Sequence, residues 1–288
     1  MDKLNAFLER AESLLARLEP LLPPALPSPD WTAPAFRWRR QGLATWLEPV
    51  YTPHGMRLGD LLHVDTQKES LVRNTRHFLK GRPANNVLLT GARGTGKSSL
   101  VKALLSEFAD KGLRLIEVEK THLADLPQIV DCLAGRPERF ILFCDDLSFE
   151  EGEDGYKALK SALDGGIAPR ASNLLIYATS NRRHLLPERM SENRDGRSPD
   201  GEIHPGEAIE EKVSLSDRFG LWLSFYPFDQ DAYLAAAASW LGSFGLPFDG
   251  PAERAALQWA RMRGSRSGRV AWQFACDWAG RTVKERKL

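Results

Sequence analysis

Hydrophobic positions along the chain fall into stretches of distinct period. Leu4, Phe7, Leu8, Ala11, Leu14, Leu15 and Leu18 recur at helical spacing, which predicts one amphipathic helix over residues 2 to 19 that ends before Pro20. Six prolines between residues 20 and 34 then stiffen and extend the backbone, as a linker does. Leu71, Val72, Thr75, Phe78 and Leu79 predict a helix from Ser70 to Lys80. Beyond it, short runs that are apolar throughout alternate with helical patterns. The runs lie at 87 to 90, 113 to 118, 140 to 145, 173 to 179 and 221 to 225, and read as strands buried on both faces. Residues 191 to 212 are polar, rich in Gly and Pro and without period, and predict a long mobile loop that is a candidate gate for the site. After Pro227 only helical patterns remain, at Tyr233 to Leu241, Ala252 to Met262 and Val270 to Trp278. The expected fold is therefore α/β: a parallel five-stranded sheet flanked by helices, a small α-helical lid domain after it and an N-terminal helical extension before it. The expected boundaries are 1–57, 58–227 and 228–288.

The segment from Trp31 to Tyr51 combines aromatics with Arg37, Arg39 and Arg40. Two readings stay open for it: aromatics that stack on bases while arginines meet phosphates, or aromatics that anchor the extension to the core. The N-terminal helix likewise has two readings, packing on its own domain or holding a partner.

Composition narrows the classes. Lys plus Arg number 39 against 38 Asp plus Glu, a formal net charge of +1, so no broad electrostatic footprint for nucleic acid or anionic membrane exists. The three cysteines, Cys132, Cys144 and Cys276, are widely spaced in apolar surroundings and read as reduced core thiols. The N-terminus lacks a signal-type apolar core, and no apolar run approaches the ~20 residues that span a bilayer. A cytoplasmic protein without a membrane partner is expected. The histidines show no metal-ligand spacing, and no Gly-x-Ser-x-Gly elbow or Cys/His pairing is present, which argues against a protein metal centre and nucleophilic catalysis.

The chemistry is carried by Val87-Leu88-Leu89-Thr90-Gly91-Ala92-Arg93-Gly94-Thr95-Gly96-Lys97-Ser98-Ser99, where an apolar strand runs into a glycine-rich loop that opens a helix. In G-x-x-x-x-G-K-[ST], glycines let successive backbone N–H groups turn inward, and the helix N-terminus adds the positive end of its dipole. Gly91 to Ser99 are thus candidate phosphate-binding residues, with Lys97 reaching the β/γ-phosphates and Ser98 offering its hydroxyl to Mg²⁺. About fifty residues on, Ile141-Leu142-Phe143-Cys144-Asp145-Asp146 delivers two carboxylates to a strand's C-terminal end, where open α/β sheets bind ligands. Asp145 is the candidate Mg²⁺ holder and Asp146 the group that polarises the attacking water.

Taken with Asn181 past the fourth strand, Arg218 and the helical C-terminal region, these motifs resemble the AAA+ ATPase superfamily over residues 58 to 288. The runs Asn85 to Ala103 and Cys144 to Glu150 resemble an uncharacterised bacterial group within it, DUF815. The resemblance implies ATP and Mg²⁺ as ligands, ATP hydrolysis, and a homo-oligomer with a partner of unknown identity. It also implies three roles. Asn181 matches sensor 1, which orients the lytic water; the alternative is a turn-capping Asn. Arg218, in Leu215-Ser216-Asp217-Arg218-Phe219-Gly220, resembles the arginine finger that serves a neighbouring subunit; the alternative is a salt bridge to Asp217 or another acid. Arg269 resembles sensor 2, with Arg266 as a near alternative and a helix-end surface arginine as the plain reading.

Two departures from the superfamily pattern matter. Asp146 stands where many members have Glu, setting the carboxylate back by roughly 1.5 Å, so hydrolysis is expected to be slow unless Glu150 or Glu151 supplies the base. The segment Lys120 to Asp125 lacks the aromatic-apolar-Gly loop of threading unfoldases, which disfavours a protein-unfolding pore. Two rival functions remain: a nucleotide-gated loader or binding module with little turnover, and a P-loop kinase acting on a small molecule.

Overall fold

The computed structural model describes residues 4, 5, 7, 8, 10–13, 28–53, 55–149, 153–164, 172–182, 185, 215–282, 285 and 286. The expected loop at 191–212, most of the proline-rich linker and the C-terminal part of the expected N-terminal helix lie outside them.

Seven strands form one sheet in the order β2-β1-β4-β5-β6-β3-β7. They are β1 (Ala35–Gln41), β2 (Ala44–Val50), β3 (Val87–Gly91), β4 (Leu113–Glu117), β5 (Arg139–Cys144), β6 (Leu174–Ser180) and β7 (Leu221–Phe225). Every neighbouring pair is parallel except β1–β2. The five strands expected from apolar runs are all present, as the contiguous block β4-β5-β6-β3-β7. The expected count of five is corrected to seven, because the aromatic and basic segment folds into a hairpin and extends the sheet beside β4. Its signal is alternation: Phe36 and Trp38 point into the core, and Gly42, at φ +59°, makes the turn that L-residues adopt poorly.

Alternation also sorts the central strands. Leu88, Ile116, Leu142 and Ile176 face one core layer, with helices α3 (Leu126–Leu133) and α4 (Asp154–Asp164) over it. Leu89, Leu115, Ile141 and Tyr177 face the other, beneath α1 (Asp65–Leu79) and α2 (Lys97–Phe108). With both faces covered, the strands read as unbroken apolar runs.

The last three helices, α5 (Gln230–Ser243), α6 (Gly250–Arg263) and α7 (Gly268–Gly280), enclose a separate small core of Tyr233, Leu241, Phe274, Trp278 and a set of alanines. Asp229, Asp249 and Ser267 cap them by accepting backbone N–H bonds from Ala232, Ala252 and Val270, which fixes where each begins. The described part of residues 4–13 is helical, with Leu4, Phe7 and Leu8 exposed by 63, 68 and 50%. Among the described residues no helix is long and apolar enough to cross a membrane. Of the three free cysteines only Cys144 is a core thiol, its pKa pushed up to about 12 by burial; Cys132 and Cys276 are exposed, because each occupies an outward position on its helix.

Candidate nucleotide site

Sheet register brings the chemistry to one edge. Gly91 pairs with Phe225, Thr90 with Ser180 and Cys144 with Ala178, so β3, β5, β6 and β7 end together. The glycine loop, Asp145 and Asn181 leave the sheet at that edge. Gly91 has φ +132°, and a Cβ there would stand 1.9 Å from the Phe225 carbonyl oxygen. Only glycine lets the cradle strand close against β7.

Lys97, at the first position of α2, is 6% exposed. Its ammonium donates to Gly91 O at 2.7 Å, Ala92 O at 2.8 Å and Asn181 Oδ1 at 3.0 Å. Burial lowers its pKa most; Asp146 and Asp145 pull it back up, and Arg269 and Arg93 press it down again. Thr95 closes the loop by donating its hydroxyl to Ala92 O at 2.8 Å. Ser98 donates its hydroxyl to Asp145 Oδ1 at 2.5 Å. Asp145 also accepts from the Thr179 hydroxyl at 2.6 Å. Asp146, at φ +52°, accepts from Asn181 Nδ2 and faces Arg93 at 3.7 Å.

These groups line a cavity of about 730 Å³ together with Gly94, Gly96, Ser99 and, from the lid, Arg269. The lid touches the cradle directly: Arg269 N–H donates to Gly94 O at 3.3 Å. Arg269 lines the cavity, whereas Arg266 is not among its lining residues and instead lends its carbonyl to Phe228 N–H. Part of the wall is apolar, with Leu61 and Leu62 from before α1 and the Trp240–Trp272 edge-to-face pair, centroids 4.7 Å apart, from the last helices. Sequence reasoning missed Thr179 and this aromatic pair. Neither has a motif, and both depend on contacts between elements far apart in the chain.

Arg218 is not brought to this cavity. It precedes β7, at the sheet edge opposite Gly91, and pairs through Nε with Asp164 at 2.5 Å rather than with Asp217. Glu150 and Glu151 lie outside the described residues. The hairpin arginines are all engaged: Arg37 with Glu117, Arg39 with Glu48 and Glu119, and Arg40 with Asp125 at 2.7 Å. Trp38 is buried and donates Nε1–H to Asp125 at 2.9 Å. This segment is thus a structural anchor. It also pins the end of the 3₁₀ segment Lys120–Asp125, where Leu123 and Asp125 are buried.

The donor set fits a magnesium-bound nucleoside triphosphate. A serine hydroxyl and a carboxylate offer hard oxygens, the donors that Mg²⁺ prefers, while an ammonium and a glycine loop at a helix N-terminus supply the anion cradle.

Solved structures share this architecture. A point mutant of the RuvB protein of Thermotoga maritima matches with a TM-score of 0.54 and 16% identity, over 77% of this chain and 64% of that one. The ORC1 protein of Aeropyrum pernix, solved in complex with DNA, matches with a TM-score of 0.52 and 15% identity, over 78% of this chain and 61% of that one. The chain thus spans less than two thirds of either, and the likeness shows that the fold is shared. No curated protein matches. A family model described as "Protein of unknown function (DUF815)" matches residues 31–282, and the chain belongs to that family.

Proposed function

We propose that this protein binds ATP with magnesium and hydrolyses it, and that the nucleotide state moves the α5–α7 lid against the sheet. One observation carries the reading: Lys97, Ser98, Asp145 and Asn181 converge on the glycine loop at the sheet edge, and Arg269 of the lid reaches the same cavity. When bound, the metal ion neutralises phosphate charge. The chain's own residues do the rest. Loop N–H groups and the Lys97 ammonium hold the β- and γ-phosphates, Ser98 and Asp145 hold the cation, and Asn181 and Asp146 orient water. Leu61, Leu62, Trp240 and Trp272 receive the base.

Asn181 bonds both Lys97 and Asp146, so one amide couples the phosphate-holding and water-orienting groups. Arg269 and Trp272, three residues apart on α7, put a cation and an aromatic ring on one helix face. A ligand that touches both would draw the lid down as a body. Arg218 precedes β7, at the sheet edge opposite Gly91, and does not line its own cavity, which supports a finger acting on a neighbouring copy and argues against the small-molecule kinase.

A second reading, a nucleotide-gated binding module for protein or nucleic acid with little turnover, draws on Asp146, whose shorter carboxylate is already bonded to Asn181 and faces Arg93. Steady-state phosphate release separates the two. The first reading expects turnover that Asp146→Asn abolishes with ATP binding retained. Binding without turnover in the unaltered protein favours the second.

A further inference from the structure

Asp146 is one of two non-glycine residues with positive φ among the described residues, at +52°. A residue with a Cβ stays in that region only where its surroundings over-determine it. The backbone N–H groups of Asp146 and Leu147 in this turn are both received by one residue of the neighbouring strand. Thr179 in β6 accepts the Asp146 N–H on its Oγ1 at 2.9 Å and the Leu147 N–H on its carbonyl at 2.7 Å. The same Oγ1 donates its proton to Asp145 Oδ1 at 2.6 Å. A hydroxyl has one proton to give and lone pairs to accept with, so Thr179 Oγ1 can do both at once; no other uncharged side chain of this shape can. Thr179 is 1% exposed, and its backbone is fixed by pairing with Leu89 of β3. The hydroxyl is therefore rigidly placed and shielded from competing water.

We propose that Thr179 is a positioning residue for the cation site: its hydroxyl aims Asp145 at Ser98 and holds Asp146 in its left-handed turn, so that losing that hydroxyl alone weakens magnesium-dependent nucleotide binding. This rests on the reading of the cavity as a Mg²⁺–ATP site. Ser98 by itself cannot do this work. Its hydroxyl bonds the same oxygen, Asp145 Oδ1, at 2.5 Å, but it is the group assigned to the cation and must be free to turn to it. Thr179 reaches Asp145 from β6, the strand between β5 and β3, and its hydroxyl is not among the groups assigned to the cation. Removing such an outer partner of a metal-holding carboxylate typically lowers metal affinity roughly 10-fold to 100-fold.

The test is a Mg²⁺ titration of binding, read with a fluorescent ATP analogue on the full-length protein, with a parallel titration in EDTA. Thr179→Val keeps the shape and removes the hydroxyl; Thr179→Ser keeps the hydroxyl. The expected result is a half-saturating Mg²⁺ concentration raised about tenfold or more in Thr179→Val, with metal-free affinity unchanged and Thr179→Ser behaving as the unaltered protein. The proposal is overturned if folded Thr179→Val keeps the ordinary Mg²⁺ dependence. It is equally overturned if Val and Ser variants are impaired alike, or if metal-free affinity falls in parallel, since packing would then be the cause. Should Thr179→Val fail to fold, Thr179→Ala against Thr179→Ser makes the same comparison. An unaltered protein that binds no ATP analogue under any condition would instead remove the nucleotide reading itself, and the proposal with it.

Discussion

Gly94 lies where α7 meets the glycine loop, and replacing it by alanine probes that junction. Its φ is +77°, and a Cβ there would stand 2.7 Å from Ser267 Oγ and 3.1 Å from Arg269 Cβ. Two costs add. Holding an L-residue in the left-handed region costs roughly 1–2 kcal/mol, and forcing a methyl group into a filled contact costs about 1–3 kcal/mol more. Gly94→Ala is therefore expected to destabilise the protein by about 2–5 kcal/mol. Ser267 cannot simply move aside, because its Oγ accepts the Val270 N–H as the cap of α7, a bond worth ~1 kcal/mol. Ser267→Ala alone should cost that ~1 kcal/mol. In the double variant the oxygen nearest the new methyl is gone, so the two single losses should sum to about 1 kcal/mol more than the double variant loses. Independent sites add to within roughly 0.3–0.5 kcal/mol. Urea denaturation followed by far-ultraviolet circular dichroism measures all four corners of the cycle. Strict additivity, or a Gly94→Ala variant as stable as the unaltered protein, would refute the placement of the lid on the cradle.

Three further outcomes are expected. Arg218→Ala should keep ATP binding and lose turnover by roughly 10³-fold or more; mixing it with Asp146→Asn, which retains Arg218, should restore part of the phosphate release, and undiminished turnover in Arg218→Ala alone would remove the finger. Burial holds the Lys97 ammonium below the ordinary lysine value of 10.5, so the ligand-free protein releases that proton first as pH rises, whereas bound phosphate favours keeping it. ATP binding should then take up a proton in the alkaline range below 10.5 and weaken as pH climbs; calorimetry in two buffers of different ionisation enthalpy reads the uptake, and its absence there would contradict the assignment. Trp38→Phe removes the indole donor from the buried Asp125 carboxylate and should cost about 1.5–3 kcal/mol in denaturant with little change in ATP affinity, whereas a selective loss of ATP affinity would contradict the anchoring role.

What could be read from the chain and what could not divides along sequence distance. The β3–loop–α2 unit is local: apolar Val87 to Leu89, the glycines and Lys97 are contiguous, so the strand, the loop and the start of the helix were legible in the sequence. The two-sided burial of β5 likewise showed in Phe140 to Cys144. The β1–β2 hairpin was not legible as part of the sheet, although Phe36, Trp38 and Gly42 carry its pattern. Its place is set by pairing Ala35 with Leu115, a contact that no local period encodes. Thr179 is silent for the same reason, being an ordinary β-branched strand residue until β5 lies beside it. Arg218 could be matched to a motif but not located, because its distance from Lys97 follows from strand direction. The choice between Arg269 and Arg266 turned on which face of the lid meets Gly94.

The central claim is that the edge formed by β3, β5 and β6 holds a magnesium-bound triphosphate through Lys97. Calorimetric titration of ATP into the unaltered protein and into Lys97→Met, with and without Mg²⁺, tests it most directly. The account predicts saturable binding of one ATP per chain, weakened when Mg²⁺ is chelated and lost in a folded Lys97→Met variant. Equal binding by both proteins, or no saturable binding by the unaltered one, would contradict it.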